Sequence, residues 1–245
     1  MDSGYYAAFT GLAARMQALD LVANNLANVN TTGFRGQFEY YEGVSAGIGN
    51  QLLSPLNIAT NDYGVLGGAD VNLDQGNFIS TGNPLDLAIK GEAFFVLKTP
   101  RGIRYTRNGS FHVNAAGQLV NQDEDLVLGP NDLPIQLPQG EVKIAQDGTI
   151  SVAGAIAGNL RLVEFAPETE LLPEGATNFI APAGAGKDAT NSTLAEGMLE
   201  SSNVSPVKET VELIALQRHS EMLERTLSIF LDDFNRTAVT DLARD

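Results

Sequence analysis

The sequence predicts an α+β fold: long N- and C-terminal helices forming a coiled-coil-like tube domain, with a central, mostly antiparallel β domain. Two observations predict it. Apolar or small residues at alternating steps of three and four run through both ends of the chain, at Tyr5, Phe9, Leu12, Met16, Leu19, Ala23 and Leu26, and again at Leu213, Leu216, Ser220, Leu223, Leu227, Phe230 and Phe234. This is the roughly 3.5-residue repeat of helices that wind around other helices. Turn signals and β-branched residues are confined between the two runs. The boundaries that follow are an N-terminal helix over 1–33, an extended or irregular linking segment over 34–80, a β domain over 81–190, and a C-terminal segment and helix over 191–245.

Taken in order, Gly4 to Asn28 reads as one helix, rich in Ala, Leu and Met, free of proline and weakened only at Gly11. Asn30, Thr31, Thr32 and Gly33 end it, because such residues favour caps and turns over helix interiors. From Gly43 to Gly76, Gly, Asn, Asp and Ser alternate with isolated apolar residues and no sustained period, which predicts extended or irregular chain. The continuously apolar run from Leu85 to Leu97 suits a strand buried on both faces. Asn108-Gly109 lies between Ile103/Tyr105 and Phe111/Val113, and Asp147-Gly148 between Val142/Ile144 and Ile150/Val152. Both have the alternation expected around a two-residue hairpin turn. Leu160 to Phe165 supplies a further strand, and the Gly/Pro/Ala-rich run 173–189 reads as a surface loop. Ser205 can cap the last helix, Pro206 suits its first position and Glu209 its dipole; it runs to about Leu242, with Glu221 and Arg225 spaced for an ion pair.

At 245 residues, 43% hydrophobic and with a mean hydropathy of −0.05, the chain can bury one ample core or two modest ones. A net charge of −15 and a pI near 4.4 argue against nucleic-acid and anionic-membrane partners, which need clustered Lys and Arg. No apolar stretch approaches the roughly 18 residues of a membrane span, and the N-terminus lacks the pattern of a cleaved secretory signal. Cysteine is absent, which removes disulfide and thiol chemistry.

No constellation for catalysis emerges. His112 and His219 have no His or Cys neighbour at metal-ligand spacing, and Asp123-Glu124-Asp125 and Asp232-Asp233 do not read as calcium loops. The 25 glycines include no phosphate-binding loop, and no serine sits on a strand-to-helix nucleophile elbow. No cofactor and no metal is expected. The rival from another class is a soluble glycan- or peptidoglycan-processing enzyme using two carboxylates, with Asp86 and Asp125 as its candidates.

Three blocks carry a resemblance. LDLVANNLANVNTTGFR (Leu19 to Arg35) resembles the N-terminal motif of bacterial flagellar basal-body rod and hook proteins. So do NLDQGNFISTGNPLDLAIKGEAFFVL (Asn72 to Leu97) with YTRNGSF (Tyr105 to Phe111), and LESSNVSPVKETVELIALQRHSEM (Leu199 to Met222). The blocks occur in the family's order over nearly the whole chain, and the exit sequence Gly33 to Phe38 is most similar to proximal-rod members, with distal-rod and hook members related. Two departures stand out: Glu92-Ala93 occupies a place where the family carries glycine, and Asp123-Glu124-Asp125 replaces a glycine-containing turn.

The resemblance implies export through the flagellar type III apparatus without a cleaved signal. Assembly would follow, with other copies and neighbouring rod subunits, into a helical rod crossing the periplasm. The terminal helices would form the inner tube and the β domain would face outward, with no nucleic acid and no membrane insertion involved. The residues expected at the assembly interface are Leu12, Met16, Leu19, Asn24, Asn25, Leu26, Asn28, Leu213, Leu216, Leu223, Leu227 and Phe230. The three asparagines are included because amides can satisfy backbone groups where subunits meet. The bland alternative is a two-helix hairpin that only closes one domain.

Overall fold

The computed structural model describes the backbone of residues 3–43 and 64–242, and the side chains of residues 9, 11–40, 68–229, 231–232 and 236. Most of the segment expected to be irregular, residues 44–63, lies outside the described residues. The chain divides into two compact units, one of Met1–Ala27, Gln37–Asp70 and Ser205–Asp245, the other of Asn28–Gly36 and Val71–Val204.

The first unit contains helix α1 (Ser3–Ala27), the paired strands β1 (Gln37–Gly43) and β2 (Gly64–Val71, whose last residue joins the second unit), and helix α2 (Pro206–Leu242). Pro206 opens α2 because its missing N–H is one that a first helical turn leaves unpaired in any case. Ser205 contributes through its backbone, its carbonyl accepting the Glu209 N–H at 3.0 Å.

The second unit holds short strands in chain order: β3 (Phe78–Ser80), β4 (Leu87–Lys90), β5 (Phe94–Thr99), β6 (Gly102–Thr106), β7 (His112–Val113), β8 (Leu119–Val120), β9 (Leu126–Val127), β10 (Val142–Ile144), β11 (Thr149–Val152), β12 (Ala155–Asn159), β13 (Leu162–Glu164), β14 (Leu172–Glu174), β15 (Asn178–Ile180), β16 (Lys187–Asp188), β17 (Thr193–Glu196) and β18 (Met198–Glu200). The main sheet runs β14-β15-β6-β5-β9-β8-β7, with β13 pairing β5 and β16. Its centre is β5, buried on both faces. Phe95 and Leu97 join the principal core with Leu87, Ile89, Phe111, Leu119, Val127 and Ile150, while Phe94 packs with Phe179 and Leu171, and Val96 with Leu128 and Val163. The returning segment 193–200 pairs antiparallel along earlier chain, β17 on β4 and β18 on β3.

The predicted fold class needs correction. The described residues hold only two helices against eighteen strands, so the molecule is mostly β-sheet rather than a coiled-coil-like tube domain with a β insert. The mixture of helix with antiparallel sheet remains. The seam expected on α1 is also not its packing line. Ala18, Val22 and Asn25 are the buried positions, one residue before Leu19, Ala23 and Leu26, and Phe9 and Met16 face solvent. One residue is a turn of about 100° on a helix, so the periodicity was present but its direction was not.

Three local expectations also change. Asn108-Gly109 is not a hairpin turn: β6 already pairs β5 on one side and β15 on the other, leaving no edge for the residues that follow. The tight hairpin is instead β5–β6, closed by Pro100-Arg101. Gly109 matters for a different reason, since a Cβ there would lie 1.8 Å from the Leu87 carbonyl oxygen that the chain passes. Asp147-Gly148 does join paired strands β10 and β11, but Ala145 N–H donates to the Thr149 carbonyl at 2.9 Å, so the loop has three residues, with Gly148 at φ +88°. Residues 173–189 are not simply a loop, because they contain most of β14 together with β15 and β16, and Phe179 is buried. At the second departure from the family pattern, Glu124 takes a left-handed φ of +63°, the conformation glycine adopts most easily.

Candidate assembly interface

Helices α1 and α2 pack through Ala18, Val22 and Leu216, with Leu19 and Leu213 against them. Small Ala18 opposite Leu216 lets the helices approach closely. Asn25 completes the unit with its side chain. Its Nδ2 donates to the Gln37 carbonyl at 2.7 Å, its Oδ1 accepts the Gln37 N–H at 2.9 Å, and Nδ2 lies 3.3 Å from Glu209 Oε2. One amide therefore ties α1 to the start of β1 and to the first turn of α2, as a neighbouring strand would.

The residues expected at the interface separate into three groups. Asn25, Leu216 and Leu227 are buried within the chain. Leu12, Leu19, Leu26, Asn28, Leu213 and Leu223 are half-buried, and only Met16 and Asn24 are exposed. Phe230 lies on α2, and its side chain is outside the described residues. On α2 the expected seam thus faces the chain's own α1. The ion pair expected between Glu221 and Arg225 is not among those the described residues make.

A second stripe was missed. Val207, Val211, Ile214, Arg218, Met222, Arg225 and Ile229 follow steps of three and four along α2 and are all exposed, Val207 by 73%, Val211 by 64% and Ile229 by 62%. At about 100° per residue they fall within an arc of roughly 80°, opposite Leu216, Ser220 and Leu227. Helix α1 is built the same way: Phe9, Ala13, Met16, Asp20, Ala23 and Ala27 are exposed on the side opposite Ala18 and Val22, Met16 by 59%. A helix apolar on two opposite faces has a partner on each in its finished state. The signal was available in the sequence as a second heptad beside the first.

In the second unit the family-like blocks meet at a buried ionic cluster that sequence reasoning also missed. Arg35 Nη2 donates to Glu200 Oε1 at 2.8 Å, both side chains fully buried. The Gly76 N–H donates to the same oxygen at 2.8 Å, Arg35 Nη1 donates to the Asp74 carbonyl at 2.7 Å, and Arg107 Nη1 lies 3.6 Å from Glu200 Oε2. Arg107 also donates to the Gly91 carbonyl at 2.7 Å and stands 4.9 Å from the centre of the Phe94 ring. Burial, and then the positive charge of Arg35, lower the Arg107 guanidinium to about 10, against the pull of Glu200, Glu92 and Glu164, so it stays charged at neutral pH. Asn203 closes the same region, its Oδ1 accepting the Gly36 N–H and its Nδ2 reaching the Asn72 and Asp74 carbonyls. Gly33 lets the chain in, since its φ is +70° and a Cβ would lie 2.3 Å from Asn108 N. Each charge stands alone in its block, and no local pattern reveals that residues 165 apart are partners.

The two carboxylates proposed for an enzyme are turn anchors. Asp86 accepts from Asn83 Nδ2 at 3.1 Å and Asp125 from Asn121 Nδ2 at 3.2 Å, and both residues are buried. Among the described residues no group of three or more His, Cys, Asp or Glu could hold a metal ion, and no helix is long and apolar enough to cross a membrane.

Comparison with known proteins agrees with these blocks. Residues 6–35 match the family of flagella basal body rod proteins, residues 88–152 the flagellar hook protein FlgE/F/G D1 domain, and residues 195–229 the flagellar basal body rod FlgEFG protein C-terminal family. The chain is 34% identical to flagellar basal-body rod protein FlgF of Mesorhizobium japonicum over 90% of each chain. It is 33% identical to FlgF of Caulobacter vibrioides over 100% of this chain and 99% of the relative. It is also 34% identical to flagellar basal-body rod protein FlgG of Agrobacterium fabrum, over 90% of this chain and 92% of the relative. The chain therefore belongs to the flagellar basal-body rod protein family and is FlgF-like.

Proposed function

We propose that this chain is a structural subunit of the bacterial flagellar basal-body rod, of the proximal, FlgF type. It polymerises helically through its terminal helices with other copies and with neighbouring rod subunits, transmitting torque and lining the export channel. It reaches the rod through the flagellar type III export apparatus without a cleaved signal peptide. The family is one of structural proteins, and the chain is not an enzyme.

The observation that carries this reading is the outward apolar stripe on each helix, opposite the seam the two helices share. Burying such stripes against other subunits stabilises an assembly by about 25 cal/mol per Å2 of apolar surface removed from water. The test is complementation of a strain lacking its own copy. A chain carrying both Val211→Asp and Ile214→Asp should show the circular dichroism of the unaltered protein, be missing from isolated basal bodies, and fail to restore motility. Normal incorporation and swimming with both substitutions would remove the helices from the assembly.

A further inference from the structure

The two outward stripes differ in shape and in sign. On α2 the stripe carries Val207, Val211, Ile214, Met222 and Ile229 together with Arg218 and Arg225, and no carboxylate. On α1 it carries Ala13, Ala23 and Ala27 between the larger Phe9 and Met16, with Asp20 as its one charge. Asp20, Arg218 and Arg225 are all exposed, and none is in the ion pairs of the described residues.

Resting on the reading just proposed, we infer that the occupant of the α2 stripe is the α1 stripe of a second copy of this chain, with Asp20 of one copy facing the arginine pair of the other. Branched and long side chains of α2 fit over the flat positions left by three alanines, as knobs fit holes on a facing helix. The charges select this pairing. Copies that each carry −15 repel one another on average, so a contact between them needs local sign reversal. Pairing α2 with α2 sets arginines against arginines, and pairing α1 with α1 sets Asp20 against Asp20. Only the unlike pairing opposes opposite charges, and like-charge juxtaposition is what suppresses wrong partners. Contact between two different faces is heterologous, so it does not close into a dimer and extends into a ring or helix.

The absence of cysteine from the chain allows a direct test. Two full-length forms are co-expressed in a strain lacking its own copy, one with cysteine at Ala13, Ala23 or Ala27, the other with cysteine at Val211, Met222 or Ile229. Basal bodies are isolated and oxidised. A disulfide-linked species containing one chain of each form, absent when either form is expressed alone, is expected for at least one combination. Asp20→Arg should reduce that species about tenfold, the scale of a like-charge penalty at a contact, and adding Arg218→Asp with Arg225→Asp should restore it. Linkage of two α2-substituted chains, linkage to a different rod protein, or no linkage in basal bodies that contain the chain would each overturn the pairing while leaving the proposed function in place. If the unaltered chain were missing from basal bodies, the proposed function would fall, and the pairing with it.

Discussion

The β unit and the helical unit place their apolar side chains differently. In the β unit the aromatic residues Phe94, Phe95, Phe111 and Phe179 are buried among aliphatic neighbours, and its deeply placed charges Arg35, Arg107 and Glu200 face one another. In the helical unit the buried hydrophobics are Ala18, Val22, Leu216 and Leu227, while Val207, Val211, Ile214, Met222 and Ile229 stand in solvent on a single helix. The first arrangement is complete within one chain, and the second is half of an interface. The contrast matters because isolated helices gain little from their own hydrogen bonds and depend on burying a face.

The comparison can be broken at its most closed point first. Glu200→Ala leaves two buried guanidinium groups without their shared carboxylate, and losing one partner of a buried ion pair costs about 3–5 kcal/mol. Chemical denaturation followed by circular dichroism should show that loss. A change near zero would mean that the cluster is not what completes the β unit.

Next comes the one polar tie of the helical unit. Asn25→Ala removes both hydrogen bonds to Gln37 and should cost about 1–3 kcal/mol, because a buried donor and acceptor are left unmatched. Faster hydrogen exchange at the Gln37 amide is the direct readout, and unchanged protection there would show that β1 is held by other means.

The smallest effect sharpens the edge of the main sheet. Arg104 donates hydrogen bonds to Glu174, which with the nearby Arg101 hold its carboxyl below the ordinary carboxylate value. A depressed folded value means that the stabilising contribution is present above the unfolded value and is lost as pH falls through the folded one. The gap in thermal midpoint between the unaltered protein and Glu174→Gln should therefore close on acidification below the carboxylate range. A gap that persists in acid would assign the difference to packing instead.

What the sequence by itself determined was local and periodic. The buried run from Leu85 to Leu97 was legible because a strand covered on both faces needs no polar alternation, and the α2 seam because Leu213, Leu216, Ser220, Leu223 and Leu227 recur at helical spacing. The family-like blocks were legible as words, and the comparisons gave them a family. Tertiary structure alone decided which way α1 faces, since Ala18 and Val22 pack where Leu19 and Ala23 were expected. It also decided that Asn108-Gly109 crosses rather than turns, and that Arg35 meets Glu200. The physical reason is common to all three. Periodicity and turn propensity act over a few residues, whereas helix rotation, strand pairing and the neutralisation of a buried charge are settled by whichever distant segment comes to lie alongside.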